Sequence, residues 1–253
     1  MQSKITVEIC CGSYEDAVTA SQGGADRIEL NSALSLGGLT PSYGCVRLCV
    51  EQLKIPVITM IRPRDGGFCY SDYEYEAMRS DTEQFLKMNV AGIAFGILDQ
   101  KKEIDLNRTR PIIELIHSYG KEAVFHRAFD CATNQERAIE KLIELHTDRV
   151  LTSGGEKTAL QGKRTLLTLQ EKYGTQIEIL PGSGITSENS RELLRETGLT
   201  QIHASCRLLN RVDITAVGTK VSFEAAGTSG NQTAYQTVDL NKVSQLVQAC
   251  HSY

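Results

Sequence analysis

Eight strand-then-helix units, spaced roughly 20 to 35 residues apart along a chain of 253, predict an α/β protein folded as a TIM-like (β/α)8 barrel. Two further observations agree with that fold. The length is close to the ~250 residues typical of such a barrel. The strands also turn polar as they end, as in Ala123-Val-Phe-His-Arg-Ala-Phe-Asp130, and that end is where barrels build their sites. A doubly wound open sheet is the alternative arrangement of the same units. Residues 1–253 read as a single domain.

The first strand is Ile5 to Cys11, which alternates apolar and polar side chains. Ser13, with Asp16 three residues on, supplies an N-cap and an acidic first turn for a helix that stops at Gly23-Gly24. Asp26 to Leu30 is the second strand, and Thr40-Pro41 gives cap and N1 proline to the helix that follows. Val57 to Arg64 is the third, with a helix from Ser71 or Asp72 to Asn89 carrying Met78, Phe85 and Leu86 on one side. Gly92 to Asp99 precedes a helix from Leu106 to Tyr119, whose start Pro111 weakens.

Ala123 to Asp130 is the fifth strand, with a helix from Asn134 to His146; Asp148 to Ser153 is the sixth, with a helix from Ala159 to Tyr173. Ile177 to Leu180 leads through Pro181-Gly-Ser-Gly-Ile185 into a helix over Ser187 to Glu196, and Gln201 to Cys206 is the eighth strand. The last helix is Leu240 to Cys250. The long segment 207–237 between them is rich in Gly, Ser, Thr and Asn, a length typical of lids and arms.

A net charge of -4 without a Lys/Arg run argues against nucleic acid and against a polybasic membrane surface. No window reaches the roughly 20 apolar residues of a membrane helix, and the chain enters a strand almost at once, so a cytoplasmic protein with a small-molecule or metal ligand is expected. The sequence admits a homo-oligomer without choosing one. The eight cysteines show no CxxC spacing and read as reduced, mostly buried thiols.

Alternation assigns faces. Glu8 and Cys10 share one side of the first strand, and Arg27, Glu29 and Asn31 share one side of the second; this polar side must be the lumen. The same rule sends Arg62, His126, His203 and Ser205 inward, turns Arg127 away toward the helix layer, and leaves Asp130 in a loop at the mouth. Glu8, Glu29, Arg62, His126, Asp130 and His203 are thus the candidate catalytic set, as acid/base groups with an anion clamp. A purely structural ion network of Glu8, Glu29, Arg62 and Arg27 is the competing account.

In phosphate-binding barrels the loops after strands seven and eight present backbone N–H groups to an anion. Gly182, Ser183 and Gly184 occupy that place, with Ser153 beside them, and form the candidate anion site. No lysine stands in the C-terminal half of a strand, which disfavours a Schiff base. Cys10 and Cys11 point to opposite faces and cannot chelate one ion together, and Cys45 with Cys49 fit a helix packed on the barrel. Glu8, Glu29, His126, Asp130 and His203 offer ligands for a harder divalent ion.

Several segments already met carry a resemblance. Glu8-Ile-Cys-Cys11, Gly24-Ala-Asp-Arg-Ile-Glu-Leu30, Gly37-Gly-Leu-Thr-Pro-Ser42, Ile61-Arg-Pro-Arg64, Phe68-Cys-Tyr-Ser-Asp72, Phe125-His-Arg-Ala-Phe-Asp130, Arg149-Val-Leu-Thr-Ser-Gly154 and Pro181-Gly-Ser-Gly-Ile185 resemble, in order, the signature segments of the CutC family. The resemblance implies a cytoplasmic TIM-barrel protein associated with copper homeostasis, with copper binding at Cys10. Where some relatives pair that position with a second cysteine, this chain has Asn31; and the loop after Arg64 reads Asp65-Gly66-Gly67 where the family often puts its glycines first. The residues themselves point instead to an enzyme or sensor for a small anionic metabolite, phosphorylated or not, working by acid/base chemistry at the mouth.

Overall fold

The computed structural model describes residues 4–212 and 234–252. Eight strands run parallel: β1 (Thr6–Cys11), β2 (Arg27–Leu30), β3 (Val57–Met60), β4 (Gly92–Phe95), β5 (Glu122–Phe125), β6 (Arg149–Thr152), β7 (Glu178–Pro181) and β8 (Gln201–Ala204). Each pairs with its sequence neighbours, and β1 also pairs with β8. A single parallel bridge between Gly182 and His203 spans β7 to β8, so the sheet meets itself as the barrel the sequence predicts.

The helices follow their strands: α1 (Tyr14–Gln22), α2 (Tyr43–Gln52), α3 (Asp72–Lys87), α4 (Leu106–Ser118), α5 (Gln135–Glu144), α6 (Lys163–Tyr173), α7 (Ser190–Thr197) and α8 (Leu240–His251). Ser13 caps α1 by accepting from Asp16 N, and Ser71 with Glu74 forms a full capping box on α3. Three helix starts differ from expectation. α7 opens at Ser190 rather than Ser187. Thr40 is no cap, because its Oγ1 accepts from Arg62 N, and Ser42 caps α2 instead. α6 begins only at Lys163, after a loop whose Ala159 N bonds Ser183 O.

The outer strand faces carry Ile9, Ile28, Ile93, Phe95, Phe125, Val150, Ile179 and Ile202 into one core with the helices. Inside the barrel a separate small cluster of Ile58, Met60, Ala94 and Val124 fills the side of β3, β4 and β5. On β1, β2 and β8 the lumen is charged, and β6 and β7 add Arg149 with the apolar Leu151 and Leu180. The interior is therefore divided, half apolar wedge and half ionic network.

The strands are shorter than their sequence runs suggest. β3 stops at Met60 and β5 at Phe125, so Arg62 and His126 stand beyond them, and Arg127–Cys131 coils into a 3-10 turn. Beyond β8 the chain makes an antiparallel pair, β9 (Arg207–Val212) with β10 (Ala234–Val238), before α8. An expected lid or arm over 213–233 lies outside the described residues. No helix among the described residues is long and apolar enough to cross a membrane.

Candidate functional site

The register sets the ionic half. Glu8 lies abreast of Arg27 on one side and His203 on the other, and Cys10 lies abreast of Glu29. Period-two alternation then turns all five inward in two storeys. In the lower storey Arg27 Nε donates to Glu8 Oε2, and its Nη2 donates to Gln201 Oε1 at 3.0 Å. Glu8 Oε1 holds His203 Nδ1 at 2.8 Å. In the upper storey Asn31 Nδ2 donates to Glu29 Oε2 at 2.9 Å, the Cys10 thiol lies 3.7 Å from the same oxygen, and His203 Nε2 lies 3.9 Å from it.

Burial and neighbouring charge drive these groups apart. Burial opposes ionisation of Glu8, but the Arg27 charge and the His203 contact overcome it and hold its carboxyl far below the usual carboxylate range. Glu29 goes the other way: burial, helped by the Glu8 charge, raises it. Burial alone would lower His203, yet the facing Glu29 and Glu8 raise it well above an ordinary histidine. Burial also raises the Cys10 thiol, which argues against a thiolate nucleophile. The result is a fixed Glu8–imidazolium pair beneath a carboxyl that takes protons readily, the separation of roles that acid/base sites use.

The apolar half ends in a second polar group. Continuing the register of Met60, Ala94 and Val124 by two residues puts Arg62, Gly96 and His126 abreast. Ile61 N donates to Ala94 O and His126 N donates to Phe95 O, so the ladder does continue. Phe68 lies beneath the Arg62 guanidinium, 5.2 Å from its ring centroid, and 5.1 Å from the His126 ring.

Asp130, expected among the acid/base groups, is committed elsewhere. Its carboxylate accepts from Ser153 N at 3.1 Å, Ser153 Oγ at 3.0 Å, Gly155 N at 3.1 Å and Arg127 Nε at 2.8 Å, and from Thr152 Oγ1 at 2.5 Å. These bonds tie the loop after β6 to the turn after β5, so Asp130 positions the rim. Ser153 is likewise buried, bonded to Asp130 and approached by Arg127 Nη2 at 2.8 Å. The expectation that Arg127 faces the helix layer is corrected: alternation ends at Phe125, and the 3-10 turn brings the guanidinium to the mouth.

A cavity of about 550 Å³ opens there. Cys10 and His203 border it, together with the turn from Ser183 to Glu188, Ser205, and the cations Arg127, Arg207 and Lys242. Ser183 and Gly184 both have positive φ, Ser183 Oγ donates to Lys157 O at 2.9 Å, and Gly182 N donates to Thr152 O. Gly182 serves packing: a Cβ there would stand 2.7 Å from Leu151. Arg207 and Lys242 escaped the sequence reading because they lie beyond the eighth strand, where no alternation rule applies. Asn31, placed on the inward face of β2 by alternation, is given no role by the sequence; the structure bonds it to Glu29.

Cys10, Glu29 and His203 offer a thiol, a carboxylate oxygen and an imidazole nitrogen within 4.8 Å of one another, and these are the described residues able to hold a metal. His126 and Asp130 do not join them. The glutamates, His203 and Cys10 thus form one group, and Arg62 with His126 a second.

Residues 5–208 match the model of the CutC family. A family protein CutC of Treponema denticola is 45% identical over 199 residues, covering 79% of this chain and 80% of that one. A crystal structure from Streptococcus agalactiae, solved under a provisional copper-homeostasis name, superposes with a TM-score of 0.75 at 30% identity, over 79% of this chain and 98% of that one. A phosphoribosyl anthranilate isomerase of Thermotoga maritima, 12% identical, superposes at 0.59 over 98% of this chain and 100% of that one, a likeness of fold alone.

Proposed function

The chain belongs to the CutC family, and on that premise we propose that it binds a small anionic metabolite at the C-terminal mouth of its barrel and moves a proton there through Glu29 and His203. One observation carries the reading: the cavity of about 550 Å³ has Cys10 and His203 against it and three cations, Arg127, Arg207 and Lys242, around it. Its size suits a metabolite. Its lining suits a charged one, since those three cations border it together with the turn at Ser183 and Gly184.

The proton chemistry follows from the two storeys. Glu8 fixes His203 through Nδ1 and stabilises its charged form, which leaves Nε2 directed toward Glu29. Glu29, raised by burial, accepts a proton from a bound ligand or returns one, and His203 is the charged donor beside it. Arg127, Arg207 and Lys242 hold the anionic end. A cytoplasmic setting belongs to the same reading and is supported by eight cysteines that are all free.

Copper is the association carried by the name of the Streptococcus agalactiae relative. Cu(I) favours sets of soft sulfur ligands. Here Cys10 contributes one thiol, the Asn31 amide takes the place facing it at 3.5 Å, and Cys11 is buried in the helix-layer core. This donor set does not fit a Cu(I) site, and the chemistry above uses none.

The test is calorimetric titration of the full chain with inorganic phosphate and with phosphorylated sugar acids. Saturable binding, weakened about tenfold or more in Lys242→Ala by loss of one charge-assisted contact, is expected. Absence of saturable heat with every probe overturns the reading.

A further inference from the structure

We propose that the Nε–H of Arg62 and the Nε2–H of His126 form a donor pair for a carboxylate or carbonyl oxygen of the bound molecule, a second anchor on the side of the mouth formed by β3 and β5. The inference rests on the reading above that the mouth takes a small anion, and it adds the chemistry of that molecule's other end.

Both side chains are more than nine-tenths buried, at 6% and 3% exposure. Neither Arg62 Nε nor His126 Nε2 has a hydrogen-bond partner among the described residues, and the buried Tyr70 hydroxyl near the Arg62 guanidinium is itself left unpartnered. Buried donors are almost always satisfied, and an orphan costs about 1–3 kcal/mol, so two in one layer of one lumen call for an acceptor. Asn31 Oδ1, likewise buried and unpartnered, stands at the end of the neighbouring strand.

The surrounding structure aims these donors. The other two nitrogens of Arg62 are fixed by carbonyls: Nη1 donates to Leu36 O and Gly38 O at 3.0 Å, and Nη2 to Gly66 O at 2.9 Å. The guanidinium cannot turn to satisfy Nε without breaking them. His126 is fixed in the same way. Its Nδ1 accepts from Ala128 N at 3.1 Å, so the ring proton of the neutral imidazole sits on Nε2. Between Arg62 and His126 stands Gly96, where a Cβ would come within 2.5 Å of His126 Nδ1. The glycine lets the ring lie across β4 toward Arg62, and Phe68 packs on both. Burial and the Arg62 charge keep the imidazole neutral, so it donates without carrying charge of its own.

The test uses 15N-labelled full-length protein and long-range 1H–15N NMR of its histidine rings, with His126 assigned by its disappearance in His126→Phe. The expected starting state is the Nε2–H tautomer. Sodium acetate, a bare carboxylate, should shift this proton and nitrogen saturably, with apparent affinity weakened about tenfold in Arg62→Lys. An Nδ1–H tautomer overturns the proposal, and so does an acetate titration that leaves His126 unmoved; both are read on the wild-type chain. If acetate fails while phosphate binds in a Lys242-dependent way, the donor pair falls and the anion reading stands. If acetate moves His126 while no phosphorylated probe binds, the pair survives and the cation-lined cavity loses its assignment.

Discussion

His203 Nδ1 lies 2.8 Å from Glu8 Oε1 inside the barrel, and Arg27 grips the other oxygen of the same carboxylate. Both ends of this chain of charges are buried, so its desolvation cost is met only while it is intact. Glu8→Gln leaves Arg27 and His203 without their counter-ion and should destabilise the protein by about 3–5 kcal/mol. Urea unfolding with unchanged slope checks this. A double-mutant cycle of Glu8→Gln with His203→Gln should show coupling above about 1 kcal/mol. Additive effects would mean the two residues do not act as a pair.

The pair also sets a pH window. Glu8 is depressed on folding, so its contribution is present above the unfolded value of 4.5 and is lost as pH falls toward the folded one. His203 is raised, so its contribution is full below 6.5 and is lost as pH climbs through the folded value. Wild-type stability minus that of the double variant should therefore be greatest between about pH 4.5 and 6.5. A difference that is flat from pH 3 to 9 would contradict both shifts.

His126 predicts the opposite slope. Burial and the Arg62 charge bring it down from 6.5 to about 3, so between those values the unfolded chain binds a proton that the folded one refuses. Stability should fall as pH drops through this window, by about 2 kcal/mol between pH 7.5 and 5. His126→Phe should remove that part of the acid sensitivity. Unfolding of the two proteins at each pH measures it, and equal slopes would place the His126 value near that of an exposed histidine.

The barrel was legible because its signal is periodic. Alternation in Thr6 to Cys11 and in Arg27 to Asn31 correctly sent Glu8, Cys10, Glu29 and Asn31 inward, and parity carried the rule to Arg62, His126 and His203. It failed two residues past a strand end. Arg127 follows His126, where the chain leaves the pleat for a 3-10 turn and period two no longer holds. Arg207 and Lys242 were invisible for a related reason: they reach the cavity from β9 and α8, and their approach depends on how the chain returns after 212. The hydrogen bonds of Asp130 were not legible, because a carboxylate at a mouth looks the same in sequence whether its oxygens are open or saturated.

Asp130 gives a prediction in which structure and chemistry part. Its carboxylate accepts from Ser153, Gly155, Thr152 and Arg127, so Asp130→Ala strands several buried donors and should cost about 2–4 kcal/mol. Loss of ligand binding should track loss of the loop: Asp130→Asn, which keeps part of the acceptor set, should fall between wild type and Asp130→Ala in both Tm and phosphate affinity. A variant with wild-type Tm and abolished turnover would return Asp130 to the acid/base group.

Gly96 is the sharpest steric test of the mouth. It lies one residue beyond β4, abreast of His126, and an added Cβ would meet the imidazole at 2.5 Å on Nδ1 and 2.6 Å on Cε1, and Ala128 Cβ at 2.8 Å. None of these is the free end of a flexible chain. Nδ1 is bonded to Ala128 N, and Ala128 sits in a buried 3-10 turn. Gly96→Ala should therefore overpack the layer at a cost of about 1–3 kcal/mol and push the ring off Ala128 N. Freed of that bond, Nδ1 no longer dictates the tautomer, and the histidine 15N spectrum should change even where the fold survives. In the double variant Gly96→Ala with His126→Ala the two ring contacts are gone and only the Ala128 contact remains, so its stability should lie above the sum of the single effects by about 1 kcal/mol or more. Strict additivity would mean that the ring does not lie over Gly96, and would count against Arg62 and His126 acting as a donor pair.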